Sequence, residues 1–179
     1  LIGILVGAGF TAIIQSSSAS VGILQALAMS GVITLPSAIY VLFGQNIGTC
    51  ITAVLASIGT GRNAKRTTII HLSFNIIGTI VFVFISMLTP FASFMQSLTP
   101  TNIPAQIANV HTVFNVVTTL LLLPFGAQLV KLSYLVLPEK EGFEDKLSVK
   151  FLDNSIFTND YHIGTSAIAN TQLFNETQN

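Results

Sequence analysis

No charged side chain occurs in the first 61 residues of the sequence, and none occurs between residues 67 and 130. An uncharged apolar run of more than about 20 residues is long enough to cross the hydrocarbon core of a bilayer as a helix. Charged residues make up 8% of the chain, against about a quarter in an ordinary globular domain. Before residue 139 the cations are few and grouped: Arg62, Lys65 and Arg66 in one short loop, then Lys131. The first acidic residue is Glu139, and the 40 residues after it are polar. This pattern predicts an all-α membrane protein: a membrane domain over residues 1–138 and a cytoplasmic tail or linker over 139–179. A formal net charge of zero gives no footprint for nucleic acid. The single cysteine, Cys50, excludes an internal disulfide and reads as a small packing residue.

Residues 1–30 hold two apolar arms around a polar block, Gln15-Ser16-Ser17-Ser18. Each arm has roughly 12–14 residues, or about 18–21 Å as helix. That reaches the middle of a core about 30 Å thick but does not cross it. The expectation is a re-entrant helical hairpin with its tip at the serines, or an interrupted span. Gly3, Gly7 and Gly9 suit close helix packing. Pro36 fits the first turn of the next helix, which runs to about Ile58. Within it, "FGQNIGT" at 43–49 sets Gln45 and Asn46 between Gly44 and Gly48. Glycine weakens a helix by about 1 kcal/mol, so a second mid-membrane break is expected there. Spans at 67–88 and 106–136 follow, the latter kinked at Pro124. This makes about three transmembrane helices besides the hairpin. The basic loop at 59–66 and the absence of Lys and Arg from loop 89–105 place the former, and the tail, in the cytoplasm.

Polar breaks at membrane depth are tolerated where protein or a water-filled cavity covers them, and they point to the substrate site of a transporter. Serines at a buried helix start offer hydroxyls beside free backbone N–H groups, a cradle for an oxyanion. Two helix N-termini supply about one positive charge together. Since residues 1–58 hold no Lys or Arg, a multiply charged anion calls for a co-bound cation, and hard cations take oxygen ligands. The plainer reading, in which these polar groups only join helices at about 0.6–2 kcal/mol each, fits an isolated serine better than two polar blocks at matched depth. "HLSFN" at 71–75 and "HTVFN" at 111–115 repeat a His-x-x-Phe-Asn pattern. His71 and His111 read as hydrogen-bonding contacts between helices rather than proton carriers. "NET" at 175–177 matches a glycosylation acceptor, a chance match on a cytoplasmic tail.

The segments "TAIIQSSSASVGIL", "GQNIGTCITA", "AKRTTIIHLSFN" and "ANVHTVFNVV", spread over about residues 3–126, together resemble the bacterial sodium/phosphate cotransporters related to the type II sodium-dependent phosphate transporters. The resemblance implies one half of an inverted-repeat transporter, with this chain as the second QSSS repeat and an N-terminal repeat missing. It also implies that Gln15, Ser16, Ser17, Ser18, Asn46 and Thr49 line the phosphate or sodium sites, with the division between the two ions left open; Gln15, Ser18, Gln45 and Thr49 are the candidate sodium ligands. Residues 151–173 are similar to the linker that leads to a PhoU-like helical domain in such proteins. The chain, which opens on Leu1 inside an apolar run, reads as a piece of a longer protein. The expected function is sodium-coupled uptake of inorganic phosphate across the cell membrane by a multi-pass protein, through alternating access. Sodium is the co-transported ion, and no other cofactor is implied. The expected partners are phosphate, sodium, the lipid bilayer and the missing repeat. The alternatives are transport of another oxyanion or small solute on the same scaffold, or a structural, channel-like membrane subunit. Enzymatic activity is not expected: every carboxylate lies at 139 or beyond, Cys50 has no histidine at helical spacing, and no metal-ligand cluster is apparent.

Overall fold

Two short helices, α1 (Ile2–Ile14) and α2 (Ser17–Met29), precede the 22-residue helix α3 (Leu35–Ala56) in the computed structural model, which describes residues 1–139. Only Gln15 and Ser16 separate the first two. Gln15 takes the left-handed conformation that ends many helices (φ 58°), and its N–H returns to the Thr11 carbonyl. Ser16 is extended, and its Oγ accepts from the Ala19 N–H at 3.3 Å, a serine N-cap. The packing of α1 on α3 gives the direction of each arm. Position 3 meets Tyr40 and Val41, position 4 meets Gly44, and positions 8 and 11 meet Gly48. The numbers rise together, so α1 runs parallel to α3. The start of α2 is beside Gln45, whose Nε2 donates to the Ser20 carbonyl at 3.0 Å. A turn at 30–34 then delivers the chain to the start of α3. The arms are therefore antiparallel, with the tip beside the middle of α3.

Glycines make the α1–α3 contact possible. A Cβ at Gly44 would stand 2.0 Å from the Ile4 carbonyl oxygen, one at Gly48 2.3 Å from that of Ala8, and one at Gly7 1.9 Å from that of Val41. Each is a backbone-to-backbone approach that only a Cα hydrogen can occupy, the geometry of a Cα–H···O contact.

The rest of the described chain is α4 (Arg62–Leu88), α5 (Phe91–Leu98), α6 (Ile103–Leu122), a 3₁₀ turn at Leu123–Phe125, and α7 (Gly126–Val136). Among the described residues, three spans are long and apolar enough to cross a membrane: Leu35–Ala56, Arg62–Leu88 and Ile103–Val136. Many large apolar residues are exposed along them, including Ile80, Phe84, Leu120 and Leu135, as expected of helices that face lipid. An aromatic cluster ties the bundle together. Phe43 of α3, Phe82 of α4 and Phe114 of α6 lie with ring centroids 5.0–5.8 Å apart, and Phe91 of α5 lies 5.8 Å from Phe82. Each such pair adds about 0.5–1.5 kcal/mol beyond its area burial. Asn102 caps α6 by accepting from the Ala105 N–H at 3.0 Å. The buried Arg66 lies 3.8 Å from the centroid of the Tyr134 ring and donates to the Leu137 carbonyl at 3.1 Å, while Arg62 donates to that of Pro138. Two cations thus close the C-terminal end of α7, where helix carbonyls lack partners.

The structure corrects the expectation of a break at 43–49: α3 is continuous through Gly44–Thr49. The glycines there accommodate α1 rather than interrupt the helix, and that packing outweighs their low helix propensity. The basic loop is shorter than expected, with Arg62, Lys65 and Arg66 already in the first turns of α4. Loop 89–105 contains the helix α5, and α6 begins at Ile103. At Pro124 the α-helix gives way to a 3₁₀ turn, Leu123–Phe125. The tail expected over 139–179 lies, from residue 140 onward, outside the described residues.

Candidate functional site

The tip of the α1–α2 hairpin, the middle of α3 and one face each of α4 and α6 line a partly open cavity of about 360 Å³. At about 30 Å³ per water in the liquid, it has room for an oxyanion with part of its hydration shell. Its lining includes Ser17 from the hairpin, Asn46 and Thr49 from α3, and His71, Asn75, His111 and Asn115 from the two His-x-x-Phe-Asn motifs, with Phe74 between. None of these side chains is an acid, a lysine or an arginine.

Local bonds set the polarity of each wall. Ser17 and Ser18 occupy the first turn of α2, where backbone N–H groups have no intrahelical acceptor. On α3, Thr49 Oγ1 donates to the Gln45 carbonyl at 2.9 Å, which leaves its oxygen lone pairs available. Asn46 is buried; its Oδ1 lies 3.2 Å from His111 Nε2, while its Nδ2 has no hydrogen-bond partner. The two motifs share one device. Asn75 Nδ2 donates to the His71 carbonyl at 3.0 Å, and Asn115 Nδ2 donates to the His111 carbonyl at 2.8 Å. Each asparagine gives one N–H to its own helix and keeps its carbonyl oxygen for other partners; Asn75 Nδ2 also donates to Cys50 Sγ on α3, at 3.4 Å. Three further oxygens, Thr11 Oγ1, Ser20 Oγ and Gln45 Oε1, are buried without hydrogen-bond partners. They belong to the junction of α1, α2 and α3, where Gln45 meets Ser20 and Thr11 meets Gly48.

Of the residues singled out in the sequence, Ser17, Asn46 and Thr49 line the cavity. Gln15 and Ser16 form the break in the hairpin, and Ser18 is exposed, with its Oγ 3.4 Å from that of Ser16. Gln45 is buried and bonded to α2. The histidines and asparagines of the repeated motif were visible as an echo, but nothing in one sequence places two motifs 40 residues apart on one cavity.

Membrane-length helices with apolar outer faces around a polar pocket that holds no charged side chain define a membrane protein. The chain belongs to the Na+/Pi-cotransporter family, which matches residues 1–129. It is 44% identical over 138 residues to the uncharacterized protein YqeW of Bacillus subtilis, covering 76% of this chain and 44% of the relative. It is also 43% identical over 84 residues to the human sodium-dependent phosphate transport protein 2B, covering 45% and 12%. Identity to the putative inorganic phosphate export protein YjbB of Salmonella typhimurium is 28% over 153 residues, covering 84% and 27%. The chain thus spans less than half the length of each of these relatives. No solved structure gives a significant match.

Proposed function

We propose that the chain is one half of a sodium-coupled transporter that takes up inorganic phosphate by alternating access. The observation that carries this reading is the uncharged cavity, lined by the Ser17 hydroxyl at a helix N-terminus together with amides and imidazoles, beside the middle of a membrane-length helix. Preorganised dipoles of this kind suit an anion that must be released again on the other side. The hairpin is then re-entrant, with Gln15–Ser18 near the bilayer midplane. A missing N-terminal repeat of opposite orientation completes the site. The basic start of α4 lies in the cytoplasm, as does the tail, which leads towards a PhoU-like helical domain. Sodium balances the charge of phosphate through Gln15, Ser18, Gln45 and Thr49. The partnerless Gln45 Oε1 and the free lone pairs of Thr49 are the oxygen ligands that a hard cation takes. The protein is a carrier in the cell membrane, not an enzyme.

Export is a second reading, favoured by the likeness to a relative named as a phosphate export protein. The test is labelled-phosphate flux in sealed vesicles, with the chain expressed alone and together with its complementary half. Inward flux driven by a sodium gradient, seen only with both halves, is the expected result. Flux that ignores sodium contradicts the coupling, and robust uptake by the 179-residue chain alone contradicts the half-site reading.

A further inference from the structure

We infer that His111, oriented by Asn46, determines specificity by accepting a hydrogen bond from an acid hydroxyl of the oxyanion, so that the site takes hydrogen phosphate and rejects sulfate. This rests on the transport reading above and deepens it. The starting point is the 3.2 Å contact between His111 Nε2 and Asn46 Oδ1. An amide oxygen only accepts, so the uncharged imidazole holds its proton on Nε2. Nδ1 is then a lone-pair acceptor, on a ring that lines the cavity. The same bond turns Asn46 Nδ2 into a donor without a protein partner, on a side chain that is only 6% exposed.

The cavity offers both kinds of partner. The hairpin brings donors, the Ser17 hydroxyl and the N–H groups that open α2. Acceptors come from His111 Nδ1, from Thr49 Oγ1, whose proton goes to the Gln45 carbonyl, and from Asn75, whose Nδ2 is engaged by the His71 carbonyl and by Cys50 Sγ and which offers its Oδ1. Sulfate near neutrality carries lone pairs on all four oxygens and would set one of them against the His111 acceptor. Phosphate keeps at least one hydroxyl at neutral pH and can donate it there while its other oxygens take the donors. A site built to pair with a hydroxyl strongly disfavours an analogue that lacks it, because a buried polar group is left unpaired.

The test is vesicle uptake of labelled phosphate by the transporter that carries this chain, with sulfate and arsenate as competitors. Arsenate, which keeps its hydroxyl, should compete, and sulfate should not. His111→Leu should narrow the phosphate-over-sulfate preference by roughly 10- to 150-fold. His111→Gln, whose amide oxygen can still accept, should retain most of it. A packing role for His111 would lower yield and maximal rate and leave that ratio unchanged; an unchanged ratio in a well-folded His111→Leu protein overturns the inference while phosphate transport stands. In the wild-type protein labelled with ¹⁵N-histidine, the His111 Nδ1 resonance should move on adding phosphate and stay put on adding sulfate. A resonance indifferent to saturating phosphate overturns the inference even if His111→Leu does not fold. Absence of phosphate uptake by the wild-type transporter overturns the transport reading itself.

Discussion

Gly44→Ala tests the contact on which the hairpin depends. The added methyl would sit 2.0 Å from the Ile4 carbonyl oxygen, and the next nearest atoms, at 2.7 and 2.8 Å, also belong to the Ile4 backbone. No side-chain rotation relieves such a clash. An ordinary contact at about 3.4–4 Å requires α1 to move away by more than 1 Å, which loosens its whole interface with α3. Overpacking of this kind costs about 1–3 kcal/mol, and a backbone against a backbone belongs near the upper figure. Alanine returns about 1 kcal/mol of helix propensity, so the net loss is about 2 kcal/mol. For a domain near this size each kcal/mol shifts Tm by about 2–4 °C, which gives a fall of about 4–8 °C. The assay is thermal unfolding of the purified protein in detergent, with Gly9→Ala as the control. Gly9 is in α1, and nothing lies within 4 Å of its would-be Cβ. That substitution should leave Tm unchanged or raise it slightly. If Gly44→Ala melts with or above the wild type, close approach is not why glycine stands at position 44.

Three further outcomes follow from the geometry. Ser17→Ala should weaken phosphate binding roughly 10- to 150-fold through loss of one hydrogen bond to a charged ligand, with normal membrane insertion; unchanged concentration dependence of uptake would remove Ser17 from the site. Arg66→Ala should speed amide exchange over the last turns of α7, which lose the Leu137 bond and the Tyr134 stack, and should spare α1 and α3; uniform exchange along α7 in both proteins would show the clasp to be idle. With Cys50 replaced by serine, a cysteine at exposed Ser97 should react with an impermeant thiol reagent in intact cells, and one at exposed Thr60 only after lysis; the reverse pattern inverts the orientation.

Much of the bundle was legible because its signals are long and one-dimensional. Uncharged runs mark the spans, Pro36 marks a helix start, and Pro124 marks an interruption of the α-helix. The serine block was legible as a helix start inside the apolar run, and Ser16 does cap α2. The meaning of Gly44 and Gly48 was not, because a glycine that breaks a helix and a glycine that admits a neighbouring backbone have the same letter. Only the position of Ile4 and Ala8 distinguishes them. Asn46 and Thr49 were found through their polarity in apolar surroundings. The part played by His71 and His111 depends on the facing of α4 and α6, which helical periodicity alone does not fix.

The glycine contacts also divide the hairpin mechanically. The first arm is keyed to α3 at three points of backbone contact and must travel with it as one body. The second arm is shared between two neighbours: Gln25 Nε2 donates to the Pro104 carbonyl at the start of α6, at 3.0 Å, while Gln45 bonds the Ser20 carbonyl and Leu24 and Ala28 pack in one core with Ile39 and Leu42 of α3. If α6 tilts against α3, the two arms are drawn apart, and the strain falls on the one joint between them, Gln15–Ser16. Hinges of this sort are a few residues at the ends of elements, where φ and ψ absorb the motion. Ser17 is the next residue after that joint. A rocking of the bundle would therefore be geared directly into the wall of the cavity, through a pivot one residue away from the hydroxyl that faces the solute.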